Sequence, residues 1–173
     1  MNIHQNTRNL HIWQQNVAKS HMAQQDLLAN AEPEDWDIVA LQEPYLNHLH
    51  LTQASPKWHV IYPSNKGLDS QTCTCSIILI NTKIHSEQVS QIDIQSTNVT
   101  AIQICTNSWT VIIINIYNDN THNCAINAIS SEWETHENTW LADPSTKIIV
   151  LGDFNQHHST WEDHRTSAKK ILA

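Results

Sequence analysis

Apolar residues recur along this chain with two distinct periods, and the switches between them mark its elements. Residues 10–15 read as a strand, followed by a 3.6-residue periodicity that predicts a moderately amphipathic helix from Ala18 to about Asn30. Asp37 to Gln42 is a short apolar strand stopped by Glu43-Pro44, and residues 48–55 read as loop. Four extended segments follow, at 58–62, 75–81, 88–94 and 100–105. Residues 109–117 form the strongest β-former, with a Val-Ile-Ile-Ile core apolar on both faces, as a central, doubly covered strand requires. Ile126, Ile129, Trp133 and Trp140 share one helical face and predict a helix over 125–141, ended by Asp143-Pro144. Lys147 to Leu151 reads as a second fully apolar strand, Gly152 as the start of the turn after it, and Trp161 onward as a helix. Alternating strands and helices indicate α and β elements packed in layers, with antiparallel pairing in the middle of the chain.

Composition narrows this picture. A length of 173 residues, with 40% hydrophobic and 15% charged positions, suits one globular domain and excludes a disordered chain. There are only two glycines, so left-handed turns fall mainly to Asn and Asp, and Gly152 stands out. The net charge of −8 argues against strong autonomous DNA affinity, because a backbone-binding protein normally shows a basic face. It leaves room for clustered carboxylates that need a cation before a phosphate can approach. Cys73, Cys75, Cys105 and Cys124 show no paired zinc spacing and read as free thiols of a reduced intracellular protein; Cys73 and Cys75 would point the same way. No charged-then-apolar leader and no apolar run of membrane-spanning length occurs in the sequence.

Polar residues collect where apolar strands end: Asn16, Glu43, Tyr117-Asn118-Asp119 and Asp153-Phe154-Asn155. Strand ends are rigid platforms, so these side chains can converge on one rim. Glu43 supplies hard oxygen for Mg²⁺, Asp153 can take a proton from water, and Asn16 and Asn155 can orient that water or a phosphate. Taken singly, each is an ordinary turn residue. His48 with His50 and His157 with His158 lack helical i, i+4 spacing and read as surface histidines. Trp133 and Trp140 read as core, and Asp119 as a turn former near a possible metal position.

Four segments in order carry a resemblance: residues 12–16 (IWQQN), 37–44 (DIVALQEP), 115–117 (NIY) and 151–155 (LGDFN). Together with His157-His158 and Trp161, they make the chain resemble the endonuclease/exonuclease/phosphatase superfamily, specifically the apurinic-endonuclease-like domain of non-LTR retrotransposons. The resemblance implies an α/β (α+β) four-layer sandwich of two mixed β-sheets flanked by helices. It also implies metal-dependent hydrolysis of phosphodiesters by nicking of target DNA, with Mg²⁺ or Mn²⁺ as cofactor. Glu43 and Asn16 then correspond to the metal site, Tyr117 to the contact with the scissile phosphate or leaving group, Asp153 to the residue that activates water, and Asn155 to phosphate support. His157 and His158 correspond to a weak DNA-phosphate contact. The implied partners are DNA and a reverse transcriptase domain, and the implied location is intracellular, in the nucleus. Only 18 residues follow Asn155, so the resemblance predicts a single domain over 1–173 that lacks the last strands of its second sheet and the family's later Asp-His pair; Asp163-His164 is not equated with that pair. Two other readings stay open: a catalytically inactive remnant, and a phosphatase or lipid phosphodiesterase of the same superfamily.

Overall fold

The computed structural model describes residues 9–53, 55–66, 73–119 and 121–155. The elements run β1 (Ile12–Asn16), α1 (His21–Asn30), β2 (Ile38–Gln42), β3 (Trp58–Ile61), β4 (Ser76–Asn81), β5 (Val89–Ile92), β6 (Val99–Cys105), β7 (Thr110–Tyr117), α2 (Cys124–Trp140) and β8 (Thr146–Asp153), with one 3-10 turn at Ser86–Gln88. They build two mixed four-stranded sheets, ordered β1-β2-β4-β3 and β5-β6-β7-β8. Two pairs are parallel, β1 with β2 and β7 with β8, and the rest are antiparallel.

The period-2 pattern of each strand sorts its side chains between layers. Val39, Leu41, Ile77 and Leu79 face α1, where they meet Leu27 and Ala31. Ile112, Ile114 and Ile116 face α2, with Ala125, Ala128, Ile129, Trp133 and Trp140 opposite them. The alternate positions Ile38, Ile78, Ile80, Ile102, Ile104, Val111 and Ile113 pack between the sheets. The result is the helix–sheet–sheet–helix sandwich that the resemblance implies.

The inter-sheet layer changes character at one end. Continuing its rows by two residues, or four on β2, gives Gln42 on β2, Ser76 on β4, Thr100 on β6 and Asn115 on β7, all buried. Asn115 Nδ2 donates to the carbonyls of Leu41 and Ile77, each at 2.9 Å, and its Oδ1 accepts from the Gln42 amide. Gln42 in turn accepts from Gln14. Ser76 Oγ donates to the Asn115 carbonyl and Thr100 Oγ1 to the Ser76 carbonyl, both at 2.9 Å. This satisfied network fixes the two sheets in one relative position beneath their strand ends. Asn115→Ala removes three buried hydrogen bonds and leaves the Gln42 amide without its acceptor in the interior. It is expected to cost about 3 kcal/mol, read as a lower denaturant midpoint with an unchanged m value. A variant as stable as the native chain would show that the network positions nothing.

Several elements differ from the sequence reading. The first strand is shifted, running from Ile12 to Asn16. The helix begins at His21 because Ala18 and Lys19 have φ of +50° and +55°, and Ser20 caps the helix by accepting the Ala23 N–H at 3.2 Å. Ala125 rather than Ile126 opens the packed stripe of α2. Gly152 is not a turn: it lies within β8, paired with Ile116. The strand expected at 147–151 runs longer, from Thr146 to Asp153, and its Val150 is 43% exposed at the edge of the described sheet. The helix expected from Trp161 onward, like His157, His158 and Asp163-His164, lies outside the described residues.

Candidate active site

Each parallel strand pair presents two adjacent C-terminal ends. Asn16 closes β1 opposite Gln42, and Glu43 follows directly. Tyr117 closes β7 opposite Asp153, which closes β8. The sandwich sets these two pairs of ends against each other. Asn16 Nδ2 donates to Glu43 Oε1 at 3.0 Å and to Asp153 Oδ2 at 2.8 Å. Its Oδ1 accepts the Ala18 N–H at 2.8 Å, which fixes the orientation of the amide. One asparagine thereby holds two carboxylates, one from each sheet, at a single point.

The backbone around these groups is tightly specified. Glu43 sits at φ +47°, an unusual conformation for a residue with a Cβ. Its N–H donates to the Cys75 carbonyl at 2.9 Å and its own carbonyl accepts the Lys19 N–H at 2.7 Å. Gln24 of α1 accepts the Tyr45 N–H at 2.8 Å, tying the chain after Glu43 to the helix. Asp153 Oδ1 accepts the Asn155 N–H at 3.1 Å, and Asn155, at φ +47°, makes the turn that Asn tolerates. Asn155 Nδ2 donates to the Asn118 carbonyl at 2.7 Å, so one of its two amide hydrogens is already committed.

Burial holds the Tyr117 phenol neutral, pushing its pKa up to about 12 from an ordinary 10.0, with the nearby Glu43 and Asp153 charges acting in the same direction. The fold thus favours the protonated phenol. That contribution to stability is complete below pH 10.0 and is lost as pH rises through about 12. Ultraviolet difference titration of the native chain against Tyr117→Phe should show a tyrosine ionising near 12. A midpoint at the ordinary value would contradict the placement of Tyr117 against Glu43.

Of the residues expected from sequence, Asn16, Glu43, Tyr117 and Asp153 come together, with Asn155 beside them. His48 and His50 are exposed loop residues. Asp119 is a turn former: its Oδ1 accepts from the Thr121 N–H and hydroxyl and from the His122 N–H, holding its carboxyl down at about 2. Asn118, not singled out as a site residue, is buried and clamps the rim, its N–H on the Asp153 carbonyl at 2.8 Å and its Nδ2 on the Phe154 carbonyl at 3.1 Å. The polar ends of the inter-sheet rows, Gln42 and Asn115, belong to the resembling segments but carry no role in the sequence reading. Their signal was a polar side chain in register with buried isoleucines two and four residues away. A cavity of about 400 Å³ lined by Asp93, Glu132, His136 and Trp140 lies at the opposite end of the second sheet, near Thr110 and Thr146 where β7 and β8 begin. It contains none of these groups.

The donor set suits a hard divalent cation. Two carboxylates are held together, and among the described residues neither is paired with a lysine or arginine. Among those residues no three His, Cys, Asp or Glu side chains gather around one point. An ion that keeps several of its waters and takes one or two protein carboxylates matches that arrangement.

Comparison with known proteins agrees with this fold. No curated protein matches the chain. Among solved structures, the chain is similar to the endonuclease domain of TRAS1, a telomere-specific non-LTR retrotransposon, with a TM-score of 0.65 and 18% identity over 92% of this chain and 67% of that one. Truncated Caenorhabditis elegans TDP2 gives a TM-score of 0.56 at 14% identity, covering 88% of this chain and 64% of that one. D. rerio TDP2 complexed with single strand DNA product gives 0.51 at 14%, covering 87% and 62%. The chain therefore spans about two thirds of the length of these structures, and at such identities the likeness is one of fold. The model of the Endonuclease/Exonuclease/phosphatase family matches residues 14–173, which include every residue at the rim, and the chain belongs to that family.

Proposed function

We propose that this domain hydrolyses DNA phosphodiesters by nicking, with Mg²⁺ or Mn²⁺ held at Glu43 and Asn16 and with Asp153 completing the site. Enzymes of this superfamily are generally hydrolytic on phosphodiester bonds, and nucleases of the fold commonly use divalent metal ions. The observation that carries the reading is the double hydrogen bond of Asn16, which joins a carboxylate from each sheet.

The residues divide the work as follows. A divalent cation bound there would offset charge on a phosphate oxygen. Asp153, its Oδ1 oriented by Asn155 and its Oδ2 by Asn16, accepts a proton from the attacking water. Tyr117 remains protonated at neutral pH and donates its O–H to a phosphate oxygen or to the leaving group. The free amide hydrogen of Asn155 supports the phosphate. Retroelement target-site cleavage, coupled to a reverse transcriptase domain, is the biological form of the reaction. Its support is the likeness to the TRAS1 endonuclease domain and the four ordered segments. DNA as substrate has further support from the TDP2 relative in complex with single strand DNA product.

A second reading, a domain that keeps the site but does not turn over, is favoured by the net charge of −8. Relaxation of supercoiled plasmid in Mg²⁺, by the native chain and by Glu43→Ala and Asp153→Ala, separates the two. Nicking by the native chain alone supports catalysis. Release of phosphate from a small ester without nicking would point to a phosphatase. No helix among the described residues is long and apolar enough to cross a membrane.

A further inference from the structure

Directly behind the site lie two of the four cysteines. Cys73 is exposed, Cys75 is buried, and both are free thiols separated by the single residue Thr74. Cys75 Sγ donates to the Cys73 carbonyl at 3.6 Å, so its side chain turns back toward Cys73. Cys73 Sγ in turn donates to the Thr74 carbonyl at 3.7 Å, within the short stretch between the two cysteines. The Cys75 carbonyl accepts the Glu43 N–H at 2.9 Å and is one of the two backbone contacts that hold Glu43 in its left-handed conformation.

We propose that Cys73 and Cys75 form a reversible dithiol oxidation site whose closure to a disulfide withdraws the Cys75 carbonyl from Glu43 and switches the hydrolytic site off. The switching half rests on the proposed function; the oxidation half does not. The oxidant is a hydroperoxide. The exposed Cys73 sulfur attacks the terminal peroxide oxygen, the O–O bond breaks, and an alcohol (water, for hydrogen peroxide) leaves with the Cys73 proton, giving a sulfenic acid. The Cys75 sulfur then attacks Cys73 Sγ, the S–O bond breaks, and water departs with the Cys75 proton. Two thiols lose two electrons and the peroxide gains them. A disulfide requires Cα atoms roughly 4.4–6.8 Å apart, near the limit for residues separated by one position. Closure must therefore turn the peptides of Thr74, which is 4% exposed and packed in place. Strain of that kind makes the bond readily reducible, as reversibility requires.

The test uses the full chain carrying Cys105→Ser and Cys124→Ser, so that only this pair remains. After equilibration with hydrogen peroxide, the monomer should lose the mass of two hydrogens and resist alkylation by iodoacetamide, and dithiothreitol should restore both properties. Amide hydrogen exchange in the peptide containing Glu43 should accelerate by about an order of magnitude in the oxidised form. Adding Cys73→Ser, at an exposed position, should abolish both effects. Two thiols that remain alkylatable, oxygen added without loss of hydrogen, or a disulfide between molecules would overturn the oxidation site. A disulfide that forms while exchange at Glu43 is unchanged would overturn the switch. If the reduced chain does not nick DNA, the mass and exchange readouts still decide the proposal.

Discussion

Gly152→Ala is expected to cost at least about 3 kcal/mol, enough to leave a marginally stable domain largely unfolded at ambient temperature. Two independent effects converge at this position. The backbone is at φ +138°, a conformation L side chains rarely adopt. A Cβ would also lie 2.0 Å from the Ile116 carbonyl oxygen and 2.7 Å from the Ile116 nitrogen. Those atoms belong to the main chain of β7, whose residues from Val111 to Ile116 are buried, so they cannot give way as a flexible side chain would. Relief requires β8 to separate from β7 at the pair Ile116–Gly152, one step before Tyr117–Asp153. The damage therefore reaches the site by the shortest route. Urea unfolding is the measurement, and a midpoint matching that of the native chain would refute the close approach.

That same residue shows how far the sequence could be read. The strand ends, their order and the convergence of Asn16, Glu43, Tyr117 and Asp153 were legible because apolar runs are long-range signals and each run ended in a polar group. Rarity marks Gly152, but its sequence context reads as a turn. A strand glycine forced by a neighbour's backbone looks identical in sequence to a turn glycine. Ala18 and Lys19 read as helix for a similar reason, since nothing in their side chains announces positive φ. The role of Gln42 and Asn115 depends on which sheet faces which, and no periodicity within one strand reveals that. The Cys75 carbonyl under Glu43 is a backbone contact between distant segments and leaves no trace in residue identity.

Glu43→Ala and Asp153→Ala should each lower the rate of plasmid nicking in Mg²⁺ by about 10²–10³-fold or more, the scale on which losing one preorganised transition-state contact is felt. The two losses should not add. Asn16 orients both carboxylates through one amide group, so removing either partner disorganises the other. Glu43→Ala with Asp153→Ala should then be little slower than the worse single variant, as expected for groups that act as a unit. Folding stability should move the other way. Two carboxylates held together without a basic partner among the described residues repel each other when no cation is bound. Removing one is expected to leave thermal stability in metal-free buffer unchanged or higher, the usual trade between a working site and a stable one. Equal nicking by native and variant proteins would identify a contaminating nuclease and end the catalytic reading. Lost nicking accompanied by a matching fall in metal-free stability would instead mean that Glu43 and Asp153 hold the two sheets together rather than serve the chemistry at their rim.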